Sequence, residues 1–219
     1  MDAALIIEKL EVVLAAGPVF LFSLVFHEYA HALAAHRLGD STAAWSGRLT
    51  MNPSVHIDPI GSIAMPMVGM LMGGFIFGWA KPVPFNPRNL RNAPRDTMLI
   101  ALAGPVSNLI LLIVCVAATR ALVLSGMATG GGLAEILVQM LVWGIYINAL
   151  LAVFNMIPLP PLDGSKVLAY FLDSGTASRL LSFNPMMSFV LIILLVSWGL
   201  LDGPLSLLTG IGLELGGLR

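Results

Sequence analysis

The 219-residue sequence predicts an all-α polytopic membrane protein. About four to five transmembrane helices are expected, with a short membrane-associated β or re-entrant region between the first and second long helices. Three observations carry this. Hydrophobic residues make up 58% and charged residues 11%, against roughly 25% charged in a soluble domain. Mean hydropathy is +0.91, and a globule of this size with so few charges could not solvate its surface. Long uncharged runs recur, each near the roughly 20 residues that cross a bilayer. Soluble classes and intrinsic disorder are thereby excluded.

The first apolar run covers about residues 12–38. The N-terminus lacks a basic region before it, so the run is expected to persist as a mature helix rather than a cleaved signal. Residues 43–59 mix small, polar and proline residues and suggest a short strand followed by turns. Residues 60–80 carry no charge but are interrupted by Pro66, Gly69, Gly73, Gly74 and Gly78, the pattern of a re-entrant or broken helix. Residues 79–94 hold four prolines, which forbid helix and favour extended chain. Further long helices are expected at 97–125, at 133–156 and from about 186, with a short terminal helix at 204–218. The whole chain, 1–219, reads as one membrane-embedded domain, its core in about 10–172 and a C-terminal helix in about 186–203.

Net charge is −1, and no basic stripe points to nucleic acid. Cys115 is the only cysteine, so no internal disulfide can form. It reads as a small hydrophobe.

The chemistry is concentrated in His27-Glu28-Tyr29-Ala30-His31. Residues four apart share a helix face, so His27 and His31 can present two imidazoles to one metal ion. Glu28 stands beside the first of them, in place to act as a general base. The cluster follows seven largely apolar residues, and ionisable groups at membrane depth mark a functional site. A catalytic zinc needs a third protein ligand and one open position. A third histidine six residues after His31 is excluded, because that position is Arg37. Asp40, His56, Asp58, Asp96 and Asp163 remain as candidates. Asp163 stands out: it follows a long apolar helix, in Pro160-Pro161-Leu162-Asp163-Gly164, where a carboxylate needs a partner. The alternative for Asp163 is an N-cap for the segment 165–172.

These motifs resemble the site-2 protease family of intramembrane zinc metalloproteases, in its short form without a soluble domain. The likeness covers roughly residues 20–170 and rests on HEYAH, then NMIPLPPLDG, supported by GRLTMNPSVHIDPIGS, FGWAKPVPFNP and ALAGPVSNL. The familiar second motif is Asn-Pro-x-Pro-x-x-Asp-Gly, whereas here Asn155 is followed by Met156. The resemblance implies that His27, His31 and Asp163 bind one Zn2+ and that Glu28 activates the attacking water. It also supports Asn155 as the donor that stabilises the oxyanion, and implies transmembrane protein substrates in a prokaryotic cell membrane. Asn108 and Asn148 are further candidates near the site, with helix–helix hydrogen bonding as the competing role. His56 is expected either to approach the metal, as a supporting or occluding group, or to cap a turn with Asp58.

Two arguments concern topology. All ligands must meet at one depth, so residues 60–80 should not cross the bilayer. On that reading eight basic residues (Arg37, Arg48, Lys81, Arg88, Arg91, Arg95, Lys166 and Arg179) share the side that holds the site, against three (Lys9, Arg120 and Arg219) on the other. The positive-inside rule then makes the site's side cytoplasmic. An unwound substrate could pair as an added strand with the stretch 79–87. The competing function is a zinc-binding transporter or sensor without proteolytic activity, which would have no use for Glu28. A silent scaffold is disfavoured by the intact motif. Substrate identity, regulator and oligomeric state are not encoded legibly.

Overall fold

The computed structural model describes residues 3–71, 80–129 and 132–218. Its body is three long helices: α1 (Ala3–Arg37), α5 (Ala93–Leu124) and α6 (Leu133–Asn155). Each contains a stretch long and apolar enough to cross a membrane, in α1 the part Glu11–Arg37. Between α1 and α5 lie three short helices, α2 (Thr42–Trp45), α3 (Pro53–His56) and α4 (Met65–Leu71), the last preceded by a wide π-type turn at Pro59–Ala64. After α6 come α7 (Asp163–Tyr170), α8 (Ser174–Leu181), α9 (Pro185–Ser197) and α10 (Asp202–Gly216).

Local chemistry sets the ends. α1 stops at Gly39, whose φ of 111° lies in the left-handed region, while Asp40 N–H returns to the Ala35 carbonyl at 2.9 Å. That is a Schellman-type stop, which glycine alone makes without strain. α5 starts with a reciprocal cap: the Asn92 side chain accepts from Arg95 N–H, and Asp96 accepts from Asn92 N–H at 2.9 Å. A cap of this kind contributes on the order of 1 kcal/mol.

α5 packs on both α1 and α6, and α10 closes against α5 and α6. Inside a bilayer, helices gain from close packing rather than from leaving water, so small residues line the contacts. A Cβ on Gly144 would lie 2.5 Å from the Cys115 sulfur, and one on Gly212 would lie 2.9 Å from Ile145. Leu112, Ile145, Ala149 and Leu213 form the core of this corner.

Two expectations need correction. No strand occurs among the described residues. The stretch 43–59 instead forms the one-turn helices α2 and α3, because Asp40 accepts from Thr42 N–H and Asn52 accepts from Ser54 N–H just after a turn-setting Pro53 site. Among the described residues three helices are long and apolar enough to span, or four if α8 and α9, bent by 83°, are taken as one broken span, against the four to five expected. α9 has 13 residues, about 20 Å of helix against a core of about 30 Å. Its apolar run is cut at Gly199, at φ 81°, before α10 begins. Residues 60–71 are helical, and 72–79, which include the start of the expected extended stretch, lie outside the described residues.

Candidate active site

His27 and His31 lie one turn apart on α1, near its C-terminal end, and both face the first half of α5. Room for them is made by Gly104. A Cβ there would collide with His31 Nε2 and would lie 2.5 Å from His27 Cε1 and 2.6 Å from His27 Nε2. That room admits two imidazoles rather than a close helix–helix contact. Pro105 has no N–H to give the Ala101 carbonyl, so the helix ladder is also relaxed beside the site.

The imidazoles are held by their Nδ1 atoms. His31 Nδ1–H donates to the Ile100 carbonyl at 2.7 Å, and His27 Nδ1–H donates to Asn108 Oδ1 at 2.6 Å. A backbone carbonyl only accepts, so His31 must carry its proton on Nδ1. Both Nε2 atoms are therefore left as lone-pair donors, and they face each other at 3.0 Å.

Asp163 completes the group. Its Oδ2 stands 3.3 Å from His27 Nε2 and 3.1 Å from His31 Nε2. It arrives there because the chain after α6 doubles back through Ile157–Leu162, a loop with a cis Pro160-Pro161 peptide. Gly164 lets that loop close: a Cβ there would lie 2.5 Å from the Met156 carbonyl carbon and 2.6 Å from the Ile157 oxygen. The carboxylate does not cap α7; the N-cap position is Leu162, which makes no side-chain cap. Lys166 Nζ donates to Oδ1 at 3.1 Å, leaving Oδ2 to the histidines.

His27, His31 and Asp163 are all buried, and their three ligand atoms lie within 4.8 Å of one another. A single proton can be shared by two of these atoms but not by three, whereas a metal ion accepts all three. With zinc bonds of about 2.0–2.2 Å, a tetrahedral site has ligand–ligand edges of about 3.3–3.5 Å. The observed edges of 3.0, 3.1 and 3.3 Å are close to that, and the N2O donor set suits zinc.

These atoms open on a cavity of about 120 Å³. Glu28, Asn155 and Lys166 supply further polar groups on its wall; Pro82, Val83, Phe85, Ile100, Ala101 and Pro161 supply the apolar part. Glu28 is half-buried, and its Oε2 accepts the Val83 N–H at 3.2 Å. Asn155 lies at the end of α6 and donates one amide N–H to the Leu151 carbonyl at 2.9 Å. Asn108 and Asn148 are fully buried behind His27, joined by Asn108 Nδ2 donating to Asn148 Oδ1 at 2.9 Å. His56 is buried too, but it does not line the cavity; its Nε2 donates to the Thr50 carbonyl at 2.9 Å. Asp58 caps the turn at Pro59, accepting from Ile60 and Gly61 N–H. Asp96 and Asp40 are occupied as local hydrogen-bond acceptors.

Lys166 and Val83 were not singled out from sequence. Lys166 had a usable signal, standing one helical turn after Asp163. Val83 had none, because it acts through its backbone.

Comparison with known proteins gives the geometry its relatives. The model of Peptidase family M50 matches residues 124–197. The chain is 37% identical over 166 residues to YwhC of Bacillus subtilis, named a candidate zinc metalloprotease, covering 73% of this chain and 70% of YwhC. It is 32% identical over 177 residues to Rip2 of Mycobacterium tuberculosis H37Rv and 28% identical over 185 residues to Rip2 of Mycolicibacterium smegmatis, both named in the same way. Each Rip2 match covers 81% of this chain, but the chain spans only 63% and 65% of those relatives' length. No solved structure matches the chain. On the strength of the YwhC match the chain is an integral membrane member of Peptidase family M50, the site-2 protease family.

Proposed function

We propose that this chain is an intramembrane zinc endopeptidase. It hydrolyses peptide bonds within or near transmembrane segments of membrane proteins. The observation that carries this is the meeting of three lone-pair atoms, from His27, His31 and Asp163, beside a half-buried glutamate. The names of the relatives support the same metal and reaction class.

His27, His31 and Asp163 hold the zinc, one per chain. When bound, it polarises the scissile carbonyl and lowers the pKa of the attacking water toward about 7. Glu28 takes the proton from that water as the C–O bond forms. It then delivers the proton to the amine nitrogen as the C–N bond breaks. The Val83 N–H holds the Glu28 carboxylate at the cavity wall while it does so. Asn155 has a second amide N–H beyond the one given to Leu151, and this neutral donor serves the oxyanion. Lys166 keeps Asp163 Oδ1 occupied, so Oδ2 is the oxygen that would hold the metal.

A transmembrane helix hides its peptide bonds in its own hydrogen bonds, so the substrate must unwind locally. The proline-rich stretch 80–87 runs along the cavity and offers its backbone to an unwound substrate. The site end of the bundle faces the cytoplasm in this reading, supported by the exposed Arg37, Arg88, Arg91 and Arg95 that flank it.

The test is Glu28→Gln, coexpressed with epitope-tagged single-span membrane proteins that the wild type cleaves. Cleavage should fall by roughly 100- to 10,000-fold while zinc content stays at the wild-type level. Undiminished cleavage in this variant contradicts the proposal. Zinc binding with no role for Glu28 would favour transport or sensing.

A further inference from the structure

Three buried polar side chains meet one another behind His27 and have no part in the mechanism: Ser23 on α1, Asn108 on α5 and Asn148 on α6. All are at most 1% exposed. Polar groups so placed are costly unless every donor and acceptor is used. Here the amide donors are used, and in one direction. Asn148 Nδ2 donates to the Gly144 carbonyl at 2.9 Å and to Ser23 Oγ at 3.0 Å. Its Oδ1 accepts from Asn108 Nδ2, which also reaches the Ser23 carbonyl at 3.4 Å. Asn108 Oδ1 is thereby turned toward His27, whose Nδ1–H it accepts at 2.6 Å.

The direction is dictated by the backbone. Reversing the Asn148 amide would point its oxygen at the Gly144 carbonyl, lone pair against lone pair. Reversing the Asn108 amide would point its oxygen at the Asn148 oxygen and offer His27 an N–H. His27 would then have to accept on Nδ1 and carry its proton on Nε2, the atom that faces His31 and Asp163.

We infer that Asn148 is a positioning residue: through Asn108 it fixes His27 as the Nδ1–H tautomer, so that Nε2 is presented as a metal ligand. The inference rests on the metal reading above for its purpose, but the relay can be tested without metal. Simple helix-to-helix bonding would hold α5 to α6 and leave the tautomer of His27 indifferent.

The experiment compares wild type with Asn148→Leu, and with Asn148→Ala as a smaller change, in detergent. The ring ¹⁵N shifts of His27 are read in the metal-free protein, and Co2+ affinity is measured by competition with a chelator. The relay predicts a single Nδ1–H tautomer in wild type and a mixture in the variants. It predicts a loss of about 10- to 100-fold in Co2+ affinity, the usual scale for a lost support to a ligating histidine. The double variant Asn108→Leu/Asn148→Leu should bind no more weakly than Asn108→Leu alone. An unchanged His27 tautomer in Asn148→Leu overturns the inference, as do losses that multiply in the double variant. If both Asn148 variants lose helix content together with metal, the role is packing and the inference falls. A wild type that shows the Nδ1–H tautomer yet binds no Co2+ contradicts the metal reading and leaves the relay standing.

Discussion

At the scale of single residues the site depends on what is missing as much as on what is present. Gly104 contributes no side chain, and the two imidazoles occupy that volume. Gly104→Ala should displace His27 and His31, because a helix backbone cannot shift away without breaking its packing on α1. Overpacking alone costs about 1–3 kcal/mol. The expected result is loss of most bound zinc and of cleavage, with the helical content retained. Metal analysis beside circular dichroism checks it, and normal zinc content in the variant would show that the close approach is not tight. The histidines, Glu28 and Asp163 were readable in sequence because ionisable groups in an apolar run are conspicuous. Gly104 was not legible as part of the site, since glycine carries no chemical signature of the neighbour it admits. Lys166 was passed over because a lysine at a helix's first turns ordinarily reads as solvated.

At the scale of elements, the proline-rich stretch 80–89 forms a strap across the site. Lys81 N–H bonds the His56 carbonyl at 2.9 Å, and Val83 N–H bonds Glu28. Phe85 packs with Ala35, Leu90 and Ile100. The far end is pinned by Asp40, fully buried, which accepts from Asn86 N–H at 2.6 Å and Asn89 Nδ2 at 2.8 Å. Gly39 fits the same junction, since a Cβ there would lie 3.2 Å from the Asn89 carbonyl. Asp40→Ala leaves these donors without an acceptor, at about 1–3 kcal/mol for a buried unpaired group. Hydrogen exchange at Val83 and Asn86 should quicken in that variant, while zinc content stays unchanged. Unchanged exchange would mean that the strap is held elsewhere.

The same pin predicts a pH dependence. Burial works to raise the Asp40 carboxyl, but Thr42, Asn89 and the Asn86 N–H outweigh it and hold it below the ordinary value. A carboxyl lowered by folding stabilises the fold above its unfolded value and loses that contribution as pH falls through the folded one. Protection of the strap should therefore persist through the range near pH 4 where an ordinary aspartate protonates, and fail only below it. Exchange in Asp40→Ala should show no such step. The strap was legible as extended chain from its prolines, but its anchors were not. Asp40 entered the sequence reading only as a spare metal ligand, because a carboxylate facing backbone N–H groups looks the same in sequence as one facing a metal. The strand expected at 43–59 failed for a related reason: Asp40 and Asn52 fold that stretch into turns of helix through local side-chain acceptors.

At the scale of the whole molecule, the argument from depth was the most informative. His31 near the end of α1 bonds Ile100 near the start of α5, and Asn108 on α5 bonds Asn148 on α6. His27, earlier on α1, bonds Asn108, later on α5, and Gly144, earlier on α6, meets Cys115, later on α5. Both helices thus run antiparallel to α5 and the same way as each other, and Asp163, just past α6, meets the histidines as the single-depth requirement demands. Spans were legible where apolar runs were unbroken. In the C-terminal region the division into two helices was legible, but not that the first of them, α9, has only 13 residues and is bent by 83° from α8.

The central claim is that His27, His31 and Asp163 form one metal site. The most direct measurement is the zinc content of detergent-purified wild type and Asp163→Ala. The account predicts about one zinc per chain in the wild type and clear loss in the variant, with three protein ligands reduced to two. Zinc retained equally by both proteins, or none in the wild type after supplementation, would contradict it.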